Sequence, residues 1–211
     1  MKSLISKIWD SIKFGETVLI EYNSITISYL GVHHLIRWAK RKGYPVLVDD
    51  ILDTFYMYKA QMGLVGIDTR IVDEVDVIKI GGRLRVGNVL ARISVKEASV
   101  REQEYAKIWE KATKGKKVIN PVLGIGKLFI LSESKTECID LINTLLSFVG
   151  NKQRISYYFI NTDLMKITPC ALPLLEELAT TIVRINKHGK EFTIAVTKSI
   201  NSEIDGVEIK I

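Results

Sequence analysis

Residues 17–48 read TVLIEYNSITISYLGVHHLIRWAKRKGYPVLV, and this stretch predicts a strand, a loop, a helix and a second strand. Its first six residues, 17–22, are mostly apolar and rich in β-branched side chains, which is typical of a strand. A helical pattern over 28–42 follows and ends at Gly43. Residues 45–48 form a continuous apolar run of the kind found in buried parallel strands. The stretch therefore predicts one strand–helix–strand unit of a parallel sheet.

The same alternation extends in both directions along the chain. Helical spacing of apolar residues predicts five further helices, over 3–13, 50–65, 97–114, 135–149 and 169–187. Short apolar or β-branched runs predict six further strands, over 75–80, 86–93, 127–131, 155–160, 192–197 and 207–211. Strands that alternate with helices of this length argue for βαβ units. We therefore predict an α/β fold with a mostly parallel sheet and helices on both faces.

The length and composition of the chain suit one globular domain. A chain of 211 residues is long enough for one α/β domain with a full core and short for two. Hydrophobic residues make up 47% and charged residues 26% of the sequence, a balance that argues against disorder. We predict a single domain over 1–211, with 83–117 as the region most open to insertion or variation.

The sequence also indicates a cellular setting. Its apolar runs are far shorter than the roughly 20 residues needed to cross a bilayer, so we expect no membrane span and a cytoplasmic protein. Cys138 and Cys170 are too few for a disulfide framework and are not spaced as CxxC, so we expect buried thiols in a reducing compartment. Abundant Ile, Lys and Glu with few Pro and His would suit a protein from a thermophile.

Four segments, in their order along the chain, resemble one known superfamily. They are 14–22 (FGETVLIEY), 42–48 (KGYPVLV), 157–162 (YYFINT) and 204–209 (IDGVEI). In this order they resemble the RecA superfamily, and its KaiC-like branch in particular. The resemblance implies a three-layer RecA-like fold with a phosphate-binding loop after the first strand. The chain also resembles, more narrowly, a family of uncharacterised proteins from heat-loving archaea of the Thermococcales type.

The position that corresponds to the phosphate-binding loop departs from the family pattern. It is filled by Asn23, Ser24, Ile25, Thr26, Ile27 and Ser28. A phosphate loop uses glycines to turn its amides inward and a lysine to meet the phosphates, and this segment has neither. Its two isoleucines also disfavour the left-handed backbone that a phosphate nest requires. We therefore predict a degenerate phosphate loop.

The second nucleotide-handling position departs as well. Asn161 stands where the resemblance implies the metal-directing Asp of the Walker B position, so a neutral amide replaces a carboxylate. Asp163 would substitute only if the chain bent back. Phosphoryl transfer depends on positioning and on charge stabilisation, so losing both elements predicts that the chain does not hydrolyse ATP in the conventional way. We accordingly expect no cofactor.

Three aspartates form a weak candidate metal site. Asp49, Asp50 and Asp53 follow a predicted strand, at the edge where open α/β sheets bind ligands. Together they could hold a divalent cation. The favoured interpretation is helix capping, with Asp50 as the N-cap and Asp53 in the first turn, because both would then satisfy free amides and the helix dipole.

Two further motifs carry less weight. Residues 124–127 (GIGK) offer glycines and a lysine, but they precede a predicted strand, so they make a very weak phosphate motif. The densest basic stretch could contact the phosphates of nucleic acid; it contains Lys107, Lys111, Lys114, Lys116 and Lys117. Glu104 and Glu110 interleave with these lysines, which favours a solvated helix face.

Three functional hypotheses follow from these patterns. The first is a catalytically inactive RecA/KaiC-like domain that acts as a binding or regulatory module, with a protein partner or a second copy of itself. The second is a metal- or nucleotide-dependent enzyme with a non-standard site at the strand edge, built from Asp49, Asp50, Asp53 and Asp163. The third is a nucleic-acid-binding protein that uses the basic face over 107–117.

Overall fold

The computed structural model of the chain describes residues 4–95 and 98–210. Parts of three predicted elements lie outside these ranges: Ser3 of the first helix, Glu97 of the helix over 97–114, and Ile211 of the last strand. Among the described residues, none of the helices combines the length and the apolar character that spanning a bilayer requires.

One nine-stranded sheet runs through the described part of the chain. Its strands are β1 (Thr17–Tyr22), β2 (Leu47–Ile51), β3 (Asp76–Ile80), β4 (Asn88–Ile93), β5 (Val118–Leu123), β6 (Arg154–Asn161), β7 (Thr181–His188), β8 (Glu191–Ser199) and β9 (Glu208–Lys210). Their order is β4-β3-β2-β5-β6-β1-β7-β8-β9. The strands from β4 to β7 in this order pair in parallel, and β8 and β9 add an antiparallel edge. The predicted, mostly parallel sheet is confirmed.

Helices cover both faces of this sheet. They are α1 (Leu4–Ser11), α2 (Ser28–Arg41), α3 (Thr54–Leu64), α4 (Arg70–Asp73), α5 (Ala98–Thr113), α6 (Ile125–Leu131), α7 (Lys135–Leu146), α8 (Thr162–Met165) and α9 (Ala171–Leu178). The buried side chains of α1 to α4 pack into one core, and those of α5 to α9 pack into a second core on the opposite face. The predicted arrangement of helices on both faces is therefore also confirmed.

The central strands are buried on both sides because helices flank them. In β6, Tyr157 and Phe159 enter the core under α1 to α4, whereas Tyr158 and Ile160 enter the core under α5 to α9. Successive side chains of a strand point to opposite faces, so a strand covered on both faces reads as a continuous apolar run. This pattern is what made β1 and β6 predictable.

The predicted strand over 127–131 is wrong. These residues belong to the helix α6, and the strand next to it is β5, which the sequence analysis missed. A short apolar run is compatible with a strand or with a buried helix, and here tertiary packing selects the helix. Asn120 and Pro121, a pair typical of turns, obscured β5, although Pro121 lies opposite Tyr157 in a parallel ladder.

The predicted helix over 169–187 is wrong in its second half. The helix ends with α9, and residues Thr181–His188 form β7, which lies between β1 and β8. Thr181, Ile182 and Val183 are all β-branched and buried, a signal for a strand that outweighs the helical spacing before it.

The predicted domain limits stay predictions. Residues 83–117, predicted to be the most variable region, include the edge strand β4 and the helix α5. The strands of the described residues belong to one sheet, which is compatible with the single domain predicted over 1–211.

Candidate functional site

The loop after β1 lies beside the end of β6. These two strands are parallel neighbours in which Tyr22 lies opposite Asn161, so their carboxyl ends meet at the same edge of the sheet. Thr162 Oγ1 donates a hydrogen bond to the carbonyl oxygen of Tyr22 at 3.2 Å, which ties the two ends together. The structure therefore brings the loop 23–28 next to Asn161 and Asp163.

Ser24 makes the contacts that close this loop against β6. Its backbone amide donates to Asp163 Oδ2 at 2.9 Å, and its hydroxyl accepts from Asn161 Nδ2 at 3.1 Å. Asn161 Oδ1 accepts from the amides of Asp163 at 3.0 Å and Leu164 at 3.4 Å, so it caps the short helix α8. The Asn161 side chain and the Asp163 carboxylate thus both hold the loop from within the chain.

The loop also lacks the backbone of a phosphate nest. Thr26 Oγ1 donates to Asn23 Oδ1 at 2.6 Å, and the Thr26 amide donates to the carbonyl oxygen of Asn23 at 3.0 Å. In the described chain, the residues other than glycine with positive φ are Leu52, Asp53 and Lys114, so every residue of 23–28 lies outside the left-handed region. The loop is a turn stabilised by its own side chains, without the inward row of amides that cradles phosphate.

Asp163 is an ionised group with its own counter-charge. Lys166 Nζ lies 2.7 Å from Asp163 Oδ1. The hydrogen bond from Lys166, together with the backbone hydrogen bond from Ser24, lowers the pKa of Asp163 to about 2. A carboxylate that is charged at neutral pH therefore accepts an amide of the loop that corresponds to the phosphate-binding loop.

Asp50 does not join its neighbour Asp49 in one site. Both lie in β2, whose successive side chains point to opposite faces of the sheet. Asp50 lies directly across from Lys79 of β3, and the two fully buried side chains form an ion pair. Asp50 Oδ1 also accepts from the amide of Phe55 at 2.8 Å. The predicted N-cap position of Asp50 is wrong, since α3 begins at Thr54, but its carboxylate does accept an amide of the first turn of that helix.

Asp53 stabilises a loop instead of a helix turn. It precedes α3 with a left-handed φ of 60° and makes no capping hydrogen bond from its side chain. Its carboxylate accepts from the amides of Arg83 at 2.7 Å and Leu84 at 3.1 Å, and lies 2.8 Å from Lys79 Nζ. Partial desolvation raises the pKa of Asp53, but the hydrogen bonds from Lys79, Arg83 and Leu84 outweigh it and lower that pKa below its ordinary value.

Asp49 belongs to a polar cluster on the other face. Asp49 Oδ2 accepts from the Tyr105 hydroxyl at 2.8 Å and from Asn120 Nδ2 at 2.9 Å. The Tyr105 hydroxyl also accepts from Arg154, whose guanidinium lies 3.9 Å from the centre of the Phe148 ring. Burial of the carboxyl raises the pKa of Asp49 to about 6, against the lowering effect of Asn120 and Arg154. Within residues 4–95 and 98–210, no group of three His, Cys, Asp or Glu side chains is arranged to hold a metal ion.

The GIGK segment has a different context from the one predicted. Gly124 connects β5 to α6, so the segment follows a strand and opens a helix. Lys127 does not face an open site, however, because its Nζ donates to the carbonyl oxygen of Leu52 at 3.0 Å and to Thr54 Oγ1 at 2.8 Å. This lysine fixes the turn between β2 and α3.

Family comparison places the chain among archaeal proteins. The family described as "Pyrococcus protein of unknown function, DUF257" matches residues 7–210. The chain belongs to this family. The DUF257 chain is also similar to a solved structure described as a structural study of PH0250 from Pyrococcus horikoshii OT3, with 35% identity, a TM-score of 0.86 and 96% coverage of both chains. No curated protein matches the sequence.

More distant solved structures share the fold of this DUF257 chain. The KaiC-like protein PH0186 from Pyrococcus horikoshii OT3 has 11% identity and a TM-score of 0.64, over 93% of this chain and 84% of that one. The flagellar accessory protein FlaH from Methanocaldococcus jannaschii has 15% identity and a TM-score of 0.57, over 94% of this chain and 85% of that one. These similarities show the fold alone, and they confirm the predicted RecA-like, KaiC-like α/β architecture.

The lysines of the predicted basic face of the DUF257 chain lie away from the candidate site. The lysines over 107–117 are exposed on α5 and on the turn that leads into β5, at the amino end of that strand. Glu104 and Glu110 are exposed on the same helix. The loop 23–28 lies at the opposite, carboxyl edge of the sheet, so the two features do not form one surface.

Sequence reasoning missed the two buried polar clusters. Lys79 lies in an apolar strand, and nothing local indicated that it would lie opposite Asp50. Asn120 interrupts an apolar run in the same way and bonds across the sheet to Asp49. The available signal was a single polar residue inside an otherwise buried strand, since such groups need partners.

Proposed function

We propose that this chain is a RecA-fold module that acts by binding and does not hydrolyse nucleotide. The observation that carries the proposal is the 2.9 Å hydrogen bond from the Ser24 amide to Asp163 Oδ2. In the RecA superfamily that loop turns its amides toward phosphate, whereas here a carboxylate of the chain itself occupies one of them.

The charges around the loop support the same proposal. Catalysis of phosphoryl transfer rests on positive groups and metal ions that neutralise the phosphates. Here Asp163 is negative, Asn161 is neutral, and Lys166 is already paired with Asp163. A triphosphate at this edge would meet a carboxylate at hydrogen-bonding distance from the loop. We therefore assign a binding role without hydrolysis to the carboxyl edge of the sheet at the loop 23–28.

Two exposed apolar side chains, one in the closed loop and one just beyond α8, favour a protein as the partner. Ile25 at the tip of the loop is 69% exposed, and Ile167 beyond α8 is 64% exposed. We call Ile25 and Ile167 the edge isoleucines. Partners that bury such side chains gain their transfer free energy, which makes a protein surface a better match than a polar ligand.

Calorimetric titration with ATP and with ADP, each with and without magnesium, tests the first half of the proposal. We expect no magnesium-dependent heat at nucleotide concentrations up to the millimolar range. Tight, magnesium-dependent binding would contradict the proposal and would direct attention to Asn161 and Asp163 as a rebuilt site.

The binding role is tested on the edge isoleucines. The double variant Ile25→Asp/Ile167→Asp should weaken self-association measured by sedimentation velocity over a wide concentration range. The control is Leu64→Asp, which changes a side chain that is 87% exposed at the end of α3 and should leave association unchanged. A wild-type chain that stays monomeric throughout would exclude a second copy as the partner and leave a different protein.

A further inference from the structure

The two cysteines of the chain meet in the folded structure. They stand 32 positions apart in the sequence, yet the Sγ atoms of Cys138 and Cys170 are 3.8 Å apart. Cys138 lies in the first turns of α7, and Cys170 immediately precedes α9. Since the sequence contains two cysteines in all, neither thiol has another intramolecular partner to compete for it.

We propose that Cys138 and Cys170 form a redox pair that closes an intramolecular disulfide when the protein meets a small organic disulfide. A disulfide needs its sulfur atoms about 2.0 Å apart, so each sulfur has to move by only about 1 Å. The site is a covalent modification site, distinct from the loop at the sheet edge. The sequence predicted two buried thiols, because two cysteines without CxxC spacing make no disulfide framework. Cys138 is buried, but the prediction is wrong for Cys170, which is exposed.

The backbone on both sides of the pair is held in place. The amide of Cys138 donates to the carbonyl oxygen of Ser134 at 3.2 Å, within the capped start of α7. On the other side, the amide of Ala171 donates to the carbonyl oxygen of Thr168 at 3.0 Å. Thr168 Oγ1 in turn donates to the carbonyl oxygen of Phe129 at 3.3 Å. The two thiols therefore face each other from anchored segments, so that closure needs side-chain movement and little backbone movement.

The difference in exposure sets the order of the two steps. Cys170 is exposed, whereas Cys138 is 1% exposed. The Cys170 thiolate attacks one sulfur of the small disulfide, its sulfur–sulfur bond breaks, and one small thiolate leaves. This first step produces a mixed disulfide at Cys170.

Cys138 completes the exchange. It loses its proton to solvent, attacks the sulfur of Cys170 and expels the second small thiol. Two protein thiols are thereby oxidised to one disulfide, and one small disulfide is reduced to two thiols. Burial of the thiol, reinforced by the neighbouring Cys170, raises the pKa of Cys138 to about 11, so the second step should be the slower one at neutral pH and should accelerate as the pH rises.

A closed disulfide would hold the segment that carries part of the candidate site. Residues 162–170 run from the end of β6 through α8 to Cys170. This segment includes Asp163, which accepts the Ser24 amide. Crosslinking Cys170 to α7 would fix the far end of the segment, and it would also stabilise the protein by restricting the unfolded chain.

The test uses the full chain, reduced, freed of reductant and then treated with oxidised glutathione at a series of pH values. Intact mass spectrometry should show a transient species carrying one glutathione, followed by a product lighter than the reduced protein by two hydrogen atoms. The ratio of final product to transient should rise with pH. A native wild-type protein that accumulates only the glutathione adduct, or that crosslinks only in denaturant, would overturn the proposal.

Two single variants separate the steps. Cys138→Ser should stop at the mixed disulfide, and Cys170→Ser, a change at an exposed position, should remain unmodified under native conditions. The oxidised wild-type protein should also unfold at a higher guanidinium concentration than the reduced protein, whereas oxidant should not raise the midpoint of Cys138→Ser. An oxidised wild-type protein that unfolds no later than the reduced form would show that the crosslink strains the native fold, contrary to the proposal.

Discussion

Lys79 is a lysine that the fold buries completely. Its Nζ lies between two carboxylates, forming an ion pair with Asp50 and lying 2.8 Å from Asp53 Oδ1. Asp50 is directly opposite in the neighbouring strand and is equally buried. A buried charge is stable only while its partner is present, because the desolvation of each ion is offset by the other.

Replacing Lys79 should therefore be strongly destabilising. We expect Lys79→Met to lower the free energy of unfolding by about 3–5 kcal/mol, since Asp50 would remain buried without a counter-charge. The measurement is urea unfolding at neutral pH. Lys40→Met is the matched control, because Lys40 pairs with the exposed Glu74 and such surface pairs contribute about 0–1 kcal/mol.

A double variant distinguishes the lost ion pair from lost packing. Lys79→Met/Asp50→Asn removes the orphaned charge and keeps an oxygen that can accept from the Phe55 amide. We expect it to recover a large part of the stability that Lys79→Met loses. A double variant as unstable as the single one would mean that packing around the methionine, and not the charge, causes the loss.

Asp49 makes stability depend on pH in the opposite sense to a salt-bridged carboxyl. Its pKa is about 6 in the folded protein against an ordinary value of 3.8, so the folded state holds this proton more tightly than the unfolded state. The cost of ionising the buried group is absent below pH 3.8, grows as the pH rises, and is complete above about pH 6, where it amounts to about 3 kcal/mol.

Asp49→Asn should remove this dependence. Relative to wild type, the variant should gain stability between pH 4 and pH 7 by up to about 3 kcal/mol, since the amide cannot ionise and can still accept from Tyr105 and Asn120. Urea unfolding of both proteins across this range measures the difference. Asp140→Asn, at an exposed position of α7, should track wild type. A constant gap between Asp49→Asn and wild type would refute the assignment.

Among the secondary-structure elements, the junction between β5 and α6 depends on one glycine. Gly124 has a φ of +85°, and a Cβ at this position would lie 2.7 Å from the carbonyl oxygen of Ile51 and in closer conflict with Thr54 Oγ1. The chain therefore changes from strand to helix within one residue, against the turn that follows β2. A residue with a side chain at position 124 would be strained by the positive φ and would also collide with these two atoms.

Gly124→Ala should accordingly lower the free energy of unfolding by about 2–4 kcal/mol, from the left-handed backbone and the steric conflict together. Gly43→Ala is the matched control, because Gly43 has a φ of +74° with nothing within 4 Å of an added Cβ. The control should lose only about 1 kcal/mol. Thermal or urea unfolding of the two variants gives the comparison, and equal losses would show that backbone conformation alone determines the effect.

The elements differ in how far the sequence could predict them. The local patterns predicted β1 and β6, because burial on both faces leaves a continuous apolar run. The helical spacing of apolar residues predicted α2. Asn120 and Pro121 hid β5, since a parallel ladder that tolerates proline is a tertiary property. Ser24 and Asn161 come into contact because β1 and β6 are parallel neighbours, a pairing that neither local pattern specified.

The buried clusters could not be predicted in the same way. Asp50 and Lys79 meet because β2 and β3 pair in one particular register, and Asp49 and Asn120 meet across β2 and β5. The register of two strands depends on both of them and on their connection, so it cannot be predicted from one strand alone. The sequence shows that a polar residue lies within an apolar strand, but it does not show which residue is its partner.

Across the whole molecule, stability is expected to fall from the centre of the sheet to its edges. The central strands β6 and β1 are paired on both sides and covered by helices on both faces. The edge strand β4 pairs only with β3 among the described residues, and most of its side chains are partly or fully exposed. Segments with few buried contacts open locally at low free energy, whereas core strands open only with global unfolding.

Native-state hydrogen exchange measures this gradient and connects it with self-association. At low protein concentration, amides of β6 and β1 should exchange last, and those of β4 should exchange many times faster. The Ser24 amide, held by Asp163 at the exposed edge, should fall between them. If copies associate through the edge isoleucines, raising the concentration should slow exchange over 23–28 and leave β4 unchanged. Slowing at β4 instead would place the contact on the free strand edge, because an unpaired strand is itself a template for pairing.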